Sequence, residues 1–316
     1  MQRLFERFVV VGLRFREEEH SPTASSEVRP LTTIVKHEFP SPAEEGVSST
    51  TPCLAEFCFP DVSAENPQQL LLKWGQRHKP FFFVLTDSTG ARQWGYCQRF
   101  QPLFSSCSCS SSCSSSCSSS SSCSSSCSSK KRKKQSKKKK RKEEALPLPY
   151  CLCIVSNNLC FALYSKMLQQ MNFGVCVTNF KGLQEVEMPQ PGGNLEVDIP
   201  LHGTALLPFI FCRAEEYCNP ELENVNFGPL LRHLHTDNIL TVFACLLADR
   251  RIIFVASEVS RLSACVQAMV SLIYPLVWRN IYIPVLPHSM LDFCCAPQPF
   301  VIGVLRNGEG TGAHRH

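Results

Sequence analysis

Residues 242–304 read "VFACLLADRRIIFVASEVSRLSACVQAMVSLIYPLVWRNIYIPVLPHSMLDFCCAPQPFVIGV", and the order of elements in this stretch decides the fold. The β-branched run "RRIIFVAS" is typical of a buried strand, and the segment after it has its apolar residues at helical spacing. Two more strands, "NIYIPVL" and "PFVIGVL", flank a short helix at "HSMLDFCCA". Strands that alternate with helices predict a mainly parallel sheet covered on both faces. The predicted core face of the long helix consists of Leu262, Cys265, Val266, Met269 and Ile273.

Two stretches upstream predict a second sheet. Residues 81–100, "FFFVLTDSTGARQWGYCQRF", have a turn cluster at Asp87 to Gly90 between two extended runs, which predicts a hairpin. Residues 150–156, "YCLCIVS", read as a buried strand, and we expect it to pair with the strand that ends near residue 100. Asn157 or Asn158 then begins a helix with Ser165 on its polar face. Further along, Asp237 is the expected cap of the helix "NILTVFACLLAD", and turn-rich residues 182–203 mark a boundary between lobes.

A low-complexity tract separates these two strands. Residues 105–129 contain only Ser and Cys, so nothing in them repays the entropy of ordering, and we expect residues 105–145 to be disordered. Eleven basic residues follow; removing them from the net charge of +5 leaves −6 on the rest of the chain, which disfavours nucleic acid as the main partner. The basic block is a nuclear import signal, an anionic-membrane patch or a solvated charge run. It comprises Lys130, Lys131, Arg132, Lys133, Lys134, Lys137, Lys138, Lys139, Lys140, Arg141 and Lys142.

The sequence lacks the common signatures of cofactor and metal chemistry. It has no phosphate-binding loop, dinucleotide-binding glycine turn, nucleophile elbow or zinc-protease helix, so we expect no cofactor, no metal and no covalent catalysis. Cys151 and Cys153 alternate in a strand without zinc-knuckle spacing, which favours core packing as reduced thiols in the cytosol. The N-terminus does not read as a signal peptide, and no apolar run is long enough to span a bilayer.

Five stretches together resemble DENN-domain proteins, which are exchange factors for Rab GTPases. They are residues 4–13, "LFERFVVVGL"; 57–61, "FCFPD"; 83–99, "FVLTDSTGARQWGYCQR"; 150–168, "YCLCIVSNNLCFALYSKML"; and 242–304. The last is the most specific, because "ADRRIIFVAS", "YIPVLP" and "LDFCCAPQPFVIG" follow one another in the family's order and spacing. The nearest subgroups are DENN-domain-containing protein 2 and connecdenn.

The resemblance implies an α/β fold in two parts. An N-terminal longin-like module, a mixed sheet with helices, would occupy residues 1–104 and 146–190, interrupted by the insert at 105–145. A core DENN lobe with a mainly parallel sheet would occupy residues 191–305, followed by a tail at 306–316. The family's C-terminal helical part is not found after residue 305, so the lobe is expected to be incomplete.

The resemblance also implies a function. The partner would be a Rab GTPase, GDP-bound or nucleotide-free, and the chain would promote GDP release in membrane trafficking, in the cytoplasm and peripheral to membranes. One alternative is a Rab- or protein-binding module without exchange activity; another is a nuclear protein governed by the basic block. The expected Rab contacts are Asp87, Arg99, Asp249, Arg250 and Arg251, although the last three could equally cap a helix.

Overall fold

The strands and helices are those of a computed structural model that describes most of the chain outside its polar tracts. The described residues are 3–15, 31–40, 51–62, 79–87, 89–101, 148–171, 183, 186–190, 192–200, 206–213, 222 and 225–306. The predicted disordered insert at 105–145, with the basic block at 130–142, and all but the first residue of the tail at 306–316 lie outside them.

A five-stranded antiparallel sheet forms the first part of the molecule, in the order β2-β1-β5-β4-β3. Every residue of the central strand, β5, is buried, as its uninterrupted apolar sequence predicts. The strands are β1 (Arg7–Phe15), β2 (Leu31–Phe39), β3 (Phe81–Thr86), β4 (Arg92–Phe100) and β5 (Tyr150–Ser156).

Two predicted pairings are confirmed in this sheet. Strands β3 and β4 form the expected hairpin, with Phe81 opposite Cys97 and Thr86 opposite Arg92. Strand β4 ends at Phe100 and β5 begins at Tyr150, and these two residues face each other in an antiparallel ladder. The polar tract thus separates two strands that are hydrogen-bonded neighbours.

Helices α1 (Thr51–Cys58) and α2 (Phe161–Gln170) belong to this sheet region. The predicted cap of α2 was wrong: Cys160 precedes the helix without a side-chain cap, whereas the Asn158 side chain donates to the carbonyl of Arg3 at 3.0 Å. Ser165, predicted on the polar face, is also buried. The Tyr164 ring stacks on Tyr96 of β4 with centroids 4.4 Å apart, which fixes α2 against the sheet.

A two-stranded antiparallel hairpin, β6 (Asn194–Pro200) and β7 (Leu206–Cys212), follows in sequence. Strand β6 falls within residues 182–203, which were predicted only as a turn-rich boundary. The alternation of Leu195, Val197 and Ile199 with polar residues was the signal for this strand.

Three helices and a three-stranded parallel sheet complete the described chain. The helices are α3 (Gly228–His233), α4 (Thr236–Leu247) and α5 (Val259–Ser271), and the strands are β8 (Ile252–Ala256), β9 (Ile281–Leu286) and β10 (Phe300–Leu305), in the order β8-β10-β9. The five residues predicted as the core face of α5 and its extension are all buried. Gly303 is required in β10, because a Cβ there would lie 2.0 Å from the carbonyl oxygen of Pro284. The short helix predicted before β10 is a kinked 3-10 helix, His288–Cys295.

The mixed α/β class is therefore confirmed, with antiparallel as well as parallel sheet. Two details differ from prediction. His235, not Asp237, caps α4, because its Nδ1 accepts the Asp237 backbone N–H at 3.4 Å. Ile253 and Val255 of β8 are about half exposed, so among the described residues the parallel sheet is not covered on both faces as expected.

Candidate functional site

Arg92 on β4 joins the antiparallel sheet to the chain that enters β9. Its Nη2 donates to the backbone carbonyl of Trp278, and its guanidinium lies 5.2 Å from the centroid of the Tyr282 ring. The Trp278 indole donates in turn to the carbonyl of Ile281 at 3.1 Å, at the start of β9. These contacts hold the segment between α5 and β9 beside the edge of the antiparallel sheet.

Further contacts connect the two sheet regions. The backbone N–H of His288 donates to the carbonyl of Pro60 at 3.1 Å, and the Ser289 hydroxyl donates to the Glu56 carboxylate at 2.5 Å. Lys79 and Glu258 lie 3.8 Å apart across the same boundary. The antiparallel and parallel sheets therefore meet along a surface held by several polar contacts.

A cavity of about 320 Å³ opens at this boundary, and we name it the junction cleft. Its walls come from both sides: Arg92, Trp94 and Asn157 from the antiparallel sheet region, and Tyr274, Leu276 and Trp278 from the segment after α5. The indole N–H of Trp94 is buried and has no hydrogen-bond partner among the described residues. The cleft walls combine apolar and polar side chains.

Apolar side chains are exposed along one rim of the cleft. Tyr274, Leu276 and Val277 are 46%, 59% and 54% exposed, and we name these three the apolar rim. Clustered exposed apolar side chains mark surfaces that bind other proteins, and tyrosine is enriched among the residues that contribute most to binding. The apolar rim is therefore a candidate surface for contact with another protein.

Of the predicted site residues Asp249, Arg250 and Arg251, Asp249 contacts the segment that contains the apolar rim. Asp249 accepts a hydrogen bond of 2.8 Å from the side chain of Asn280, which closely follows the rim in sequence. Arg250, Arg251 and Arg279 are all exposed. The exposed Arg279 follows the rim by two residues, and its positive charge favours an acidic partner surface.

The same three residues also end α4, as the alternative interpretation allowed. Asp249 has a φ of 49°, and its N–H donates to the carbonyl of Leu246 while the Arg250 N–H donates to that of Cys245. This pair of bonds is a Schellman motif with Asp249 in the left-handed position. The Asp249 backbone thus has a structural role, which leaves the exposed side chains of Arg250 and Arg251 available to a partner.

Asp87 organises the β3–β4 turn and does not line the junction cleft. Its carboxylate accepts hydrogen bonds from the Thr89 hydroxyl at 2.6 Å, the Thr89 N–H at 2.8 Å and the Ala91 N–H at 2.9 Å. These donors, the Thr89 hydroxyl foremost, lower the pKa of Asp87 below its ordinary value. The described contacts of Asp87 are those of a turn residue.

Arg99 does not have the exposed position expected of a Rab contact. Its side chain is 2% exposed, and it makes a bidentate ion pair with Asp61 and donates to the carbonyl of Cys58 at 3.1 Å. The rings of Phe59 and Phe81 lie about 5 Å from the guanidinium. Arg99 therefore fastens the end of α1 to β4, and its burial removes it from the candidate surface.

The sequence did not indicate that these cleft residues are exposed, because they lie in an apolar run. Tyr274, Leu276 and Val277 belong to "VQAMVSLIYPLVW", which reads as core. Pro275 was the available signal, because it cannot continue α5 and turns the following residues away from the helix.

The structure also brings together four cysteines, of which Cys151 and Cys153 were predicted only to pack in the core. Cys58, Cys97, Cys151 and Cys153 are all fully buried. Burial raises the pKa of Cys58 and of Cys97. For Cys153 burial also acts to raise the pKa, but contacts from the Cys58 and Cys97 thiols outweigh it and lower the pKa to about 6. Among the described residues, Cys58, Cys97 and Cys151 have Sγ atoms that all lie within 4.8 Å of one another, so they could hold a metal ion.

Comparison with known families accounts for most of the chain. The DENN (AEX-3) domain family matches residues 147–314, and the uDENN domain family matches residues 34–100. Strand β5 lies in the first match, while its neighbour β4 lies in the second, so one sheet is built from both matched regions.

Curated relatives align over 96% of the chain. DENN domain-containing protein 2A and protein 2C of Mus musculus are 32% and 31% identical to it, and DENN domain-containing protein 2D of Mus musculus is 29% identical. The aligned part is 26%, 28% and 55% of those proteins, so the chain spans between a quarter and about half of their length. Within the described residues, no helix has both the length and the apolar character to cross a membrane.

Proposed function

The chain belongs to the DENN (AEX-3) domain family, and from that premise we propose that it is a guanine-nucleotide exchange factor for a Rab GTPase. DENN proteins are in general Rab exchange factors, which regulate a GTPase and do no covalent catalysis of their own. The proposed partner is a GDP-bound or nucleotide-free Rab, engaged during membrane trafficking, with the chain cytoplasmic and peripheral to the membrane.

The junction cleft is the observation that carries this proposal. Arg92 and Trp94 belong to the uDENN match, whereas Tyr274, Leu276 and Trp278 belong to the DENN match. A partner bound there would touch both regions at once. In the proposed arrangement, residues 1–104 and 146–190 form a longin-like module and residues 191–305 form the DENN lobe, and pairing of β4 with β5 across the insert supports this division.

Exchange requires only differential binding. Contacts that favour the nucleotide-free GTPase over the nucleotide-bound form lower the barrier to GDP release, and a thousandfold acceleration needs about 4 kcal/mol of such preference. At about 25 cal/mol per Å² of apolar surface, burying about 160 Å² more in the nucleotide-free complex would supply it. The apolar rim offers side chains of the size that this requires.

Charge would contribute mainly to the rate of association. The exposed Arg279 follows the rim by two residues, so the partner's complementary surface is expected to be apolar at its centre and acidic near Arg279. We therefore expect association with the active Rab to slow as ionic strength rises.

The direct test is release of fluorescent GDP from a panel of purified Rab GTPases. Acceleration of one Rab or a small group of Rabs by the chain supports the proposal, and EDTA-driven release serves as the control for nucleotide loading. The proposal is contradicted if the chain is shown to be folded and accelerates GDP release from none of the Rabs. Capture of a nucleotide-free Rab without faster release would instead support the non-catalytic binding module.

The basic block at residues 130–142 is proposed as a localisation signal separate from exchange. Deleting it should change the cellular location of the chain and leave GDP release unchanged. Unchanged location would show that the block is only a solvated charge run.

A further inference from the structure

Four cysteine side chains from three separate elements converge on one face of the five-stranded sheet. Cys97 of β4 lies directly opposite Cys153 of β5, and Cys151, two residues earlier in β5, shares that face. Cys58 is the last residue of α1 and packs over them. We name these four residues the cysteine cluster.

Three of the sulfur positions suit a thiolate metal site. The Cys58 and Cys97 Sγ atoms are 3.8 Å apart, and those of Cys58, Cys97 and Cys151 all lie within 4.8 Å of one another. Cys153 adds a fourth thiol on the same face, directly opposite Cys97 in the β4–β5 ladder. A tetrahedral ion with Zn–S bonds of about 2.3 Å has sulfur atoms about 3.8 Å apart, so one edge already has this length.

One carboxylate that is linked to the cluster's surroundings through Arg99 does not compete as a ligand. This group, Asp61, is engaged in its bidentate pair with Arg99. Arg99 lies opposite Cys151 in the β4–β5 ladder, so a permanent positive charge stands next to the sulfur atoms. A set of sulfur ligands favours zinc over calcium or magnesium, which bind through oxygen.

We propose that Cys58, Cys97, Cys151 and Cys153 form a closed structural site for Zn²⁺. With four protein ligands the ion has no open position, so its role is to tie α1 to β4 and β5 rather than to react. Binding would release the thiol protons to solvent. The site escapes motif searches because its ligands have sequence separations of 39, 54 and 2 residues and become neighbours only through sheet pairing.

The test measures the zinc content of the full chain. It uses a background variant whose low-complexity tract cannot bind zinc. The Ser/Cys tract contains six cysteines that could take up zinc by themselves, so they are replaced by Ser: Cys107, Cys109, Cys113, Cys117, Cys123 and Cys127. Protein expressed with zinc and purified without chelator should retain one Zn²⁺ per chain. Cys97→Ser should lose the bound zinc, whereas Cys265→Ser, at a buried cysteine of α5 outside the cluster, should keep it.

A second measurement covers the case in which Cys97→Ser does not fold. The background protein is stripped of zinc and titrated with Co²⁺, and intense visible absorption from tetrahedral thiolate cobalt is expected. Folded background protein that holds no zinc and gives no such spectrum would overturn the proposal, since the four thiols would then only pack against one another. A disulfide within the cluster in the purified protein would overturn it equally.

Discussion

Arg99 and Asp61 form a buried bidentate ion pair, with Nη1 3.1 Å from Oδ2 and Nη2 2.7 Å from Oδ1. The two residues are 38 positions apart, and the pair links the end of α1 to β4. The Arg99 side chain is only 2% exposed, so water contributes little to stabilising its positive charge. The Asp61 carboxylate compensates for this loss of solvation.

Removing the Asp61 carboxylate should therefore destabilise the folded protein. Asp61→Ala leaves the guanidinium buried without this carboxylate, and we expect a loss of about 3–5 kcal/mol in the free energy of unfolding, measured by urea denaturation. Glu258→Ala is the control, because Glu258 pairs with Arg261 at 3.1 Å on the surface, and it should cost no more than about 1 kcal/mol. Equal losses of unfolding free energy in the two variants would show that other groups stabilise the Arg99 charge when Asp61 is absent.

The left-handed conformation of Asp249 predicts that glycine preserves stability at this position better than valine does. Asp249→Gly should be close to neutral, because Gly adopts a φ of 49° without strain, and Asp249→Val should cost about 1–2 kcal/mol. Thermal denaturation of the two variants measures the difference. Equal stability of Gly and Val at this position would contradict the Schellman assignment.

Asp87 should titrate at lower pH than an ordinary aspartate. Its folded pKa lies below the unfolded value, so the stabilisation from its hydrogen bonds is present above the unfolded pKa and is lost as pH falls through the folded one. Carboxyl chemical shifts followed by NMR should show this depressed pKa. Thr89→Ala removes the hydroxyl donor and should move the pKa of Asp87 back towards its ordinary value; an unchanged pKa would assign the effect to the backbone donors.

Local patterns predicted much of the fold. The turn cluster from Asp87 to Gly90 predicted the hairpin, and the helical spacing of Leu262, Val266 and Met269 predicted the buried face of α5. Such features depend on nearby residues, so a single sequence contains them.

The candidate site could not be predicted in the same way. The burial of Arg99 depends on Asp61, and the exposure of Leu276 depends on how α5 and β9 meet the antiparallel sheet. The cysteine cluster likewise needs the pairing of β4 with β5. Each of these features is set by contacts between distant parts of the chain, which spacing and composition do not encode.

A substitution in the apolar rim tests most directly the claim that this surface is needed for nucleotide exchange. Leu276→Asp should reduce acceleration of GDP release by about tenfold to a hundredfold, because burial of a leucine side chain contributes about 1.5–3 kcal/mol. Leu240→Asp is the matched control: Leu240 is equally exposed, at 60% against 59%, but lies on α4 and does not line the junction cleft. With a responsive Rab, we predict that Leu276→Asp loses exchange activity and Leu240→Asp keeps it, both variants remaining folded by circular dichroism. Full activity of folded Leu276→Asp would contradict the account.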